Sequence, residues 1–227
     1  MATPILALVA LVALGVTAAL AVVWSRWRRL ARAEYIRTCP FPPGLLDRLA
    51  KKRPDITLKD RQLVARALRQ FFLVYLKSGR QFVSMPSQVA DDLWHEFILY
   101  TRHYELFCRR AFGRFLHHTP AVALGPDRRD NAGLRRAWWY ACLEENINPR
   151  KPTRLPLLFA LDAKLEIVGG FRYAPDCDVL RKGGDGGVYC GGDFSSASFD
   201  GSTDGFGDSG SDGGGDGSGC GGGCGGD

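Results

Sequence analysis

All four histidines of this 227-residue chain fall between His95 and His118. Around them sits the densest polar chemistry of the sequence: Asp91-Asp92-Leu93-Trp94-His95-Glu96-Phe97, then His103, Cys108 and His117-His118. Imidazole nitrogens and carboxylate oxygens bind divalent cations, and a two-carboxylate, one-imidazole set suits iron, manganese or zinc. On an unbroken helix at about 100° per residue, Asp92, Glu96 and His103 lie within roughly 40° of one another. With His95 beside them, Asp92, His95, Glu96 and His103 are the candidate metal ligands. The competing expectation is a solvated helix face, with Asp91 or Asp92 pairing with His95 at helical spacing. The zincin spacing fails, because His95-Glu96 is followed by Phe97, Ile98 and Leu99 with no histidine one turn on. His117-His118 reads as a structural or exposed pair in a loop. Cys108 falls on an apolar arc, where thiols pack as small hydrophobes with a raised pKa. There is no G-x-S-x-G elbow and no P-loop, so no catalytic residue is assigned.

The elements that must position these groups read as helices. Ser84 and Pro86 are start signals, and Val89, Leu93, Phe97, Tyr100, Tyr104, Phe107 and Cys108 then share an arc of roughly 60–160°, with Trp94 at its edge. This predicts one helix running to about Cys108, closed by Gly113, with Trp94, Phe97 and Cys108 as structural anchors. Before it, Thr57 with Asp60 three residues on has capping-box spacing. Val64, Leu68, Phe71 and Tyr75 follow at helical steps, and Gly79 ends the run. After it, Pro126-Asp127 opens a helix carrying Leu134, Ala137, Trp138 and Ala141, which Asn148-Pro149 closes, and Pro156 to Leu165 forms a shorter one. No segment sustains a two-residue alternation, so the expected fold class is all-α: a compact helical domain over residues 45–180.

The runs MPSQVADDLWHEFILYT (Met85 to Thr101), YELFC (Tyr104 to Cys108) and FGRFLHHTP (Phe112 to Pro120) resemble the glycine-rich domain-containing protein-like family, in its bacterial, membrane-anchored form. The resemblance covers roughly residues 40–175 and is most specific from Asp92, Trp94 and His95 to His118. It implies a domain followed by a glycine-rich tail, without an established reaction. Plant-type members carry Trp-His-x-His here; Phe97 stands in place of the second histidine.

The ends of the chain differ sharply from its middle. Ile5 to Trp24 is twenty residues without a charge, and a helix of that length spans about 30 Å, the thickness of a bilayer core. Residues 1–25 therefore read as a transmembrane anchor. A signal peptide cleaved near Ala19-Leu20-Ala21 and a buried core helix are the competing readings, and the missing basic n-region and the length of the run weigh against the first. Arg26, Arg28, Arg29 and Arg32 follow the span, and Arg37 lies a little further on, with no Lys or Arg before it. This predicts an N-terminus outside and a cytoplasmic body, with the arginine collar on anionic headgroups at about 1 kcal/mol each. Residues 26–44, ending in Cys39-Pro40-Phe41-Pro42-Pro43-Gly44, read as a basic juxtamembrane and proline-rich connector. Residues 181–227 are rich in glycine, aspartate and serine. From Gly183 onward eight Asp and no Lys or Arg give −8, which leaves +14 on the rest of a chain whose total is +6. Such a segment cannot bury enough apolar surface to fold, and is expected to be disordered. Much of the basic excess belongs to the membrane flank and the remainder is scattered, which makes a nucleic-acid partner unlikely. The expected role is a single-pass membrane-anchored interaction or scaffolding protein with an unidentified protein partner and no assigned cofactor. The alternative is a metal-dependent enzyme or metal-binding module using a divalent ion at the Asp92/His95/Glu96/His103 cluster.

Overall fold

The structure, a computed structural model, describes residues 2–118, 132–175 and 189–190. Within them the architecture is all-helical around one central helix. The first helix, α1 (Ala2–Thr38), is 37 residues long, about 55 Å at the α-helical rise. Its stretch from Ala10 includes an unburied 18-residue window with a mean hydropathy of 1.6, and is long and apolar enough to cross a membrane. The helix does not stop at the arginines. It continues through them until Ala33 and Ile36 enter the core of the domain, and Tyr35 packs on Phe107 with ring centroids 5.9 Å apart. The non-helical link to the domain is thus confined to residues 39–44, where three prolines deny the backbone the donors a helix needs.

A short helix, α2 (Leu45–Lys52), follows, with Leu45 and Leu49 turned into the core and Arg48 and Lys52 outward. The central helix, α3 (Leu58–Lys77), opens with the expected capping box of Thr57 and Asp60. It closes in a Schellman turn, where Arg80 N–H reaches Tyr75 C=O at 2.9 Å and Gly79 N–H reaches Leu76 C=O at 3.3 Å. Gly79 takes φ +72°, a conformation side chains resist. From Gln70 to Leu76 every residue of α3 is buried. A helix apolar all round must be covered all round, and α1, α2, α4, α6 and α7 do so.

The expected long helix after Ser87 is two helices, α4 (Gln88–Ile98) and α5 (Thr101–Phe112). Tyr100, at φ −81° and ψ 58°, breaks the ladder. Neither glycine nor proline marks the break. It is held by tertiary contacts: Tyr100 O–H donates to Pro43 C=O at 3.2 Å, and Phe97 stacks edge-on against Tyr104 across it at 5.2 Å. The helix α6 (Ala132–Glu144) carries Ala137, Trp138 and Ala141 into the core, while its expected start at Pro126 lies outside the described residues. The last helix, α7 (Leu157–Lys164), begins after Pro156 as expected. Two short strands, β1 (Tyr173–Ala174) and β2 (Tyr189–Cys190), pair in parallel, Tyr173 opposite Tyr189. The second strand falls in the segment expected to be disordered; the remainder of that segment lies outside the described residues.

Candidate functional site

The proposed ligand set does not assemble. The break at Tyr100 rotates α5 away from α4, so His103 stands exposed beside Tyr100 rather than in line with Asp92 and Glu96. Asp92 is only 3% exposed, and its carboxylate is met by Lys52 at 2.7 Å and Arg53 at 2.8 Å. Glu96 pairs with Arg48 at 2.5 Å. Both carboxylates therefore clamp α2 onto α4, and their charge is already balanced. The sequence reading assigns no helix at α2, where Leu45 and Leu49 one turn apart, with Arg48, Lys52 and Arg53 on the other side, are the available signal.

The structure brings together a different set: Asp91, His95 and His118, with their nearest ligand atoms all within 4.8 Å of one another. Asp91 Oδ1 lies 3.0 Å from His118 Nε2, and Asp91 Oδ2 lies 3.4 Å from His95 Nδ1. The two imidazoles are in contact, tilted at 55° with centroids 4.2 Å apart. Asp91 and His95 are one helical turn apart on α4, so their meeting was legible in the sequence as an i, i+4 pair. His118 arrives from the segment after α5, and no periodicity in the sequence could place it.

That segment is pinned by the core. Tyr104 O–H donates to Leu116 C=O at 2.6 Å, and Trp94 Nε1–H donates to Tyr104 Oη at 3.1 Å. The Trp94 indole also meets the His118 ring edge-on at 4.6 Å. Trp94 itself is buried against Phe71 and Phe72, so the imidazole position is set by the best-packed part of the domain. Phe97 is buried between Phe41 and Tyr104. A ligand at that position would point into the core.

The three polar groups form one wall of a cavity of about 330 Å³. The other walls include Phe71, Tyr75, Phe82, Met85, Leu116 and Phe171. Phe82 and Phe171 are 48% and 38% exposed and make an aromatic rim. Asp162 holds two sides of this cavity at once. Its buried carboxylate accepts from Ser87 O–H at 2.7 Å, Gln88 N–H at 2.7 Å and Val89 N–H at 3.2 Å, at the start of α4. It also accepts from Phe171 N–H at 2.9 Å. A negative charge at a helix N-terminus with several donors is an arrangement the helix dipole favours. Tyr75, on a further side, receives two hydrogen bonds from Arg114 at 2.8 and 3.0 Å.

The two buried cysteines among the described residues, Cys108 and Cys142, offer no nucleophile here. Burial pushes the Cys108 thiol up, and burial followed by the charge of Glu145 pushes that of Cys142 up to about 12. Both are buried, free thiols. What the site can do chemically is hold a cation, or move a proton between imidazole and carboxylate, against an apolar pocket.

The model of the UCP032817-like family matches residues 31–194, more than half of the chain, and the chain belongs to that family. The match begins inside α1, just where the helix enters the domain, and extends past β2. No curated protein and no solved structure matches the chain.

Proposed function

For this member of the UCP032817-like family, we propose a single-pass membrane-anchored interaction module, with its N-terminus outside, its domain in the cytoplasm, and the cavity beside α4 as its binding place. The observation that supports the anchor is the continuity of α1. One helix leads from the apolar stretch into the core at Ala33 and Ile36 without a loop. A domain joined in this way sits directly on the bilayer surface. Arg26, Arg28 and Arg29 are exposed on the helix between the two, where anionic headgroups would meet them. Arginines on this side alone resist translocation, which argues for the cytoplasmic orientation. The binding role draws on the cavity with its exposed aromatic rim, because exposed aromatic side chains around a concave apolar surface are the usual form of a ligand site. The likeness to the glycine-rich domain-containing protein-like family, carried by the Met85 to Pro120 runs, remains part of this proposal.

Topology tests it. A reporter active only outside the cytoplasm and another active only inside are fused in turn to the C-terminus. The proposal expects the internal reporter alone to be active, with the fusion resisting alkaline carbonate extraction from membranes. Activity of the external reporter would overturn the orientation, and release by carbonate would overturn the anchor.

A further inference from the structure

We propose that Asp91, His95 and His118 form a binding site for a divalent transition-metal ion whose open coordination positions face the aromatic cavity. The first reason is charge. Asp91, Asp92 and Glu96 are neighbouring carboxylates on α4. The cations of α2 and of Arg53, which caps it, neutralise two of them: Lys52 and Arg53 take Asp92, and Arg48 takes Glu96. The ion pairs of Asp91 among the described residues are both with histidines. Asp91 is thus the one of the three with no lysine or arginine among its ion pairs in the described residues, and the carboxylate left to meet a metal cation.

The second reason is geometry. Metal–nitrogen and metal–oxygen bonds of about 2.0–2.2 Å place neighbouring ligand atoms roughly 2.8–3.1 Å apart in an octahedral site and roughly 3.3–3.6 Å apart in a tetrahedral one. The Asp91 oxygens stand 3.0 and 3.4 Å from the two histidine nitrogens. Two imidazoles and one carboxylate with room for further ligands is the donor set of zinc hydrolytic sites and non-haem iron sites.

The third reason is access combined with support. The side chains of His95, Asp91 and His118 are 42%, 21% and 15% exposed, and all three line the cavity. An ion can enter, and a water or a ligand oxygen can complete its coordination from the cavity side. His118 is oriented by Trp94, and the segment carrying it by Tyr104, so little ordering remains to be done on binding. The proposal goes beyond the anchored-module reading and does not depend on the orientation in the membrane.

Cobalt(II) reports the site. The full chain is purified in detergent with a tag free of histidine, stripped with chelator, and titrated with Co²⁺ while its visible absorption is followed. Expected is a d–d band that saturates at about one ion per chain, without the intense near-ultraviolet thiolate-to-cobalt band that Cys220 and Cys224 would produce. D91N, H95Q and H118Q should each weaken Co²⁺ affinity at least about tenfold. E96Q and H103A should leave it unchanged. His95 is exposed enough for H95Q to fold normally, and its circular dichroism spectrum is the check. Zn²⁺ should raise the Tm of the wild type and not that of D91N. No band, a band of thiolate character only, or a band indifferent to D91N and H95Q would each overturn the proposal.

Discussion

Trp94 and His95 are adjacent in sequence and opposite in physical role. The indole is buried between Phe71 and Phe72 and donates to Tyr104. The imidazole next to it has a half-open side chain. Trp94→Ala leaves a ring-sized hole in a close-packed core and should cost about 3–5 kcal/mol of unfolding free energy. His95→Ala in the metal-free protein removes a partly exposed ring and should cost less than about 1 kcal/mol. Denaturant titration of the two variants checks this; equal losses would mean that the imidazole carries structure in its own right. At this scale the sequence was informative wherever a residue acts within its own helix. The capping box of Thr57 and Asp60, the helix-ending Gly79, the buried Trp94, Phe97 and Cys108, and the Asp91–His95 pair all follow from local spacing. The partners of Asp92 and Glu96 did not, because Arg48, Lys52 and Arg53 reach them across some 40 positions of chain.

At the scale of elements, the informative failure is the helix expected to run from Ser87 to Cys108. The apolar arc continues across Tyr100, and a periodicity argument sees only that arc. The bend is imposed by Pro43 and by the rings of Phe97 and Tyr104, contacts that exist only once the domain is folded. With the bend, His103 leaves the cluster and His118 takes the third place. The joint between α1 and the domain has an electrostatic component. Glu144, at the end of α6, receives Arg37 of α1 at 2.7 Å and also pairs with Lys77 of α3. Burial alone would raise its pKa, but the hydrogen bonds and charges of Lys77 and Arg37 outweigh that and hold the carboxyl below its ordinary value of 4.5. A carboxyl depressed in the folded state stabilises the fold at any pH above its unfolded value. That contribution is lost as pH falls through the folded value. The stability of the wild type should therefore drop more steeply below about pH 4.5 than that of Glu144→Gln, which lacks the titrating group. Thermal melts from pH 6 down to about pH 3.5 test this, and parallel curves would show that the cluster adds no pH-dependent stability.

At the largest scale, one helix that is long and apolar enough at its start to cross a membrane continues into the domain. Composition alone disclosed the apolar stretch, the arginines and the acidic glycine-rich end, because these are averages over many residues. What composition could not disclose is that residues 26–38 are continuous helix whose last turns, around Ala33 and Ile36, dock on α3 and α5, since the buried positions are few and their partners lie far along the chain. The central claim is this continuity of the apolar helix and the domain. Site-directed spin labelling of the full chain in lipid bilayers measures it most directly, by comparing collision with oxygen, which concentrates in the hydrocarbon, and with a water-soluble nickel chelate. Labels at Val12, Val16 and Leu20 should be oxygen-accessible and nickel-protected. Labels at Arg26 and Arg29 should lie at the crossover between the two reagents, and a label at Ala33 should be shielded from both by the domain. Nickel accessibility along the whole of α1, or a mobile and fully solvated label at position 33, would contradict the account.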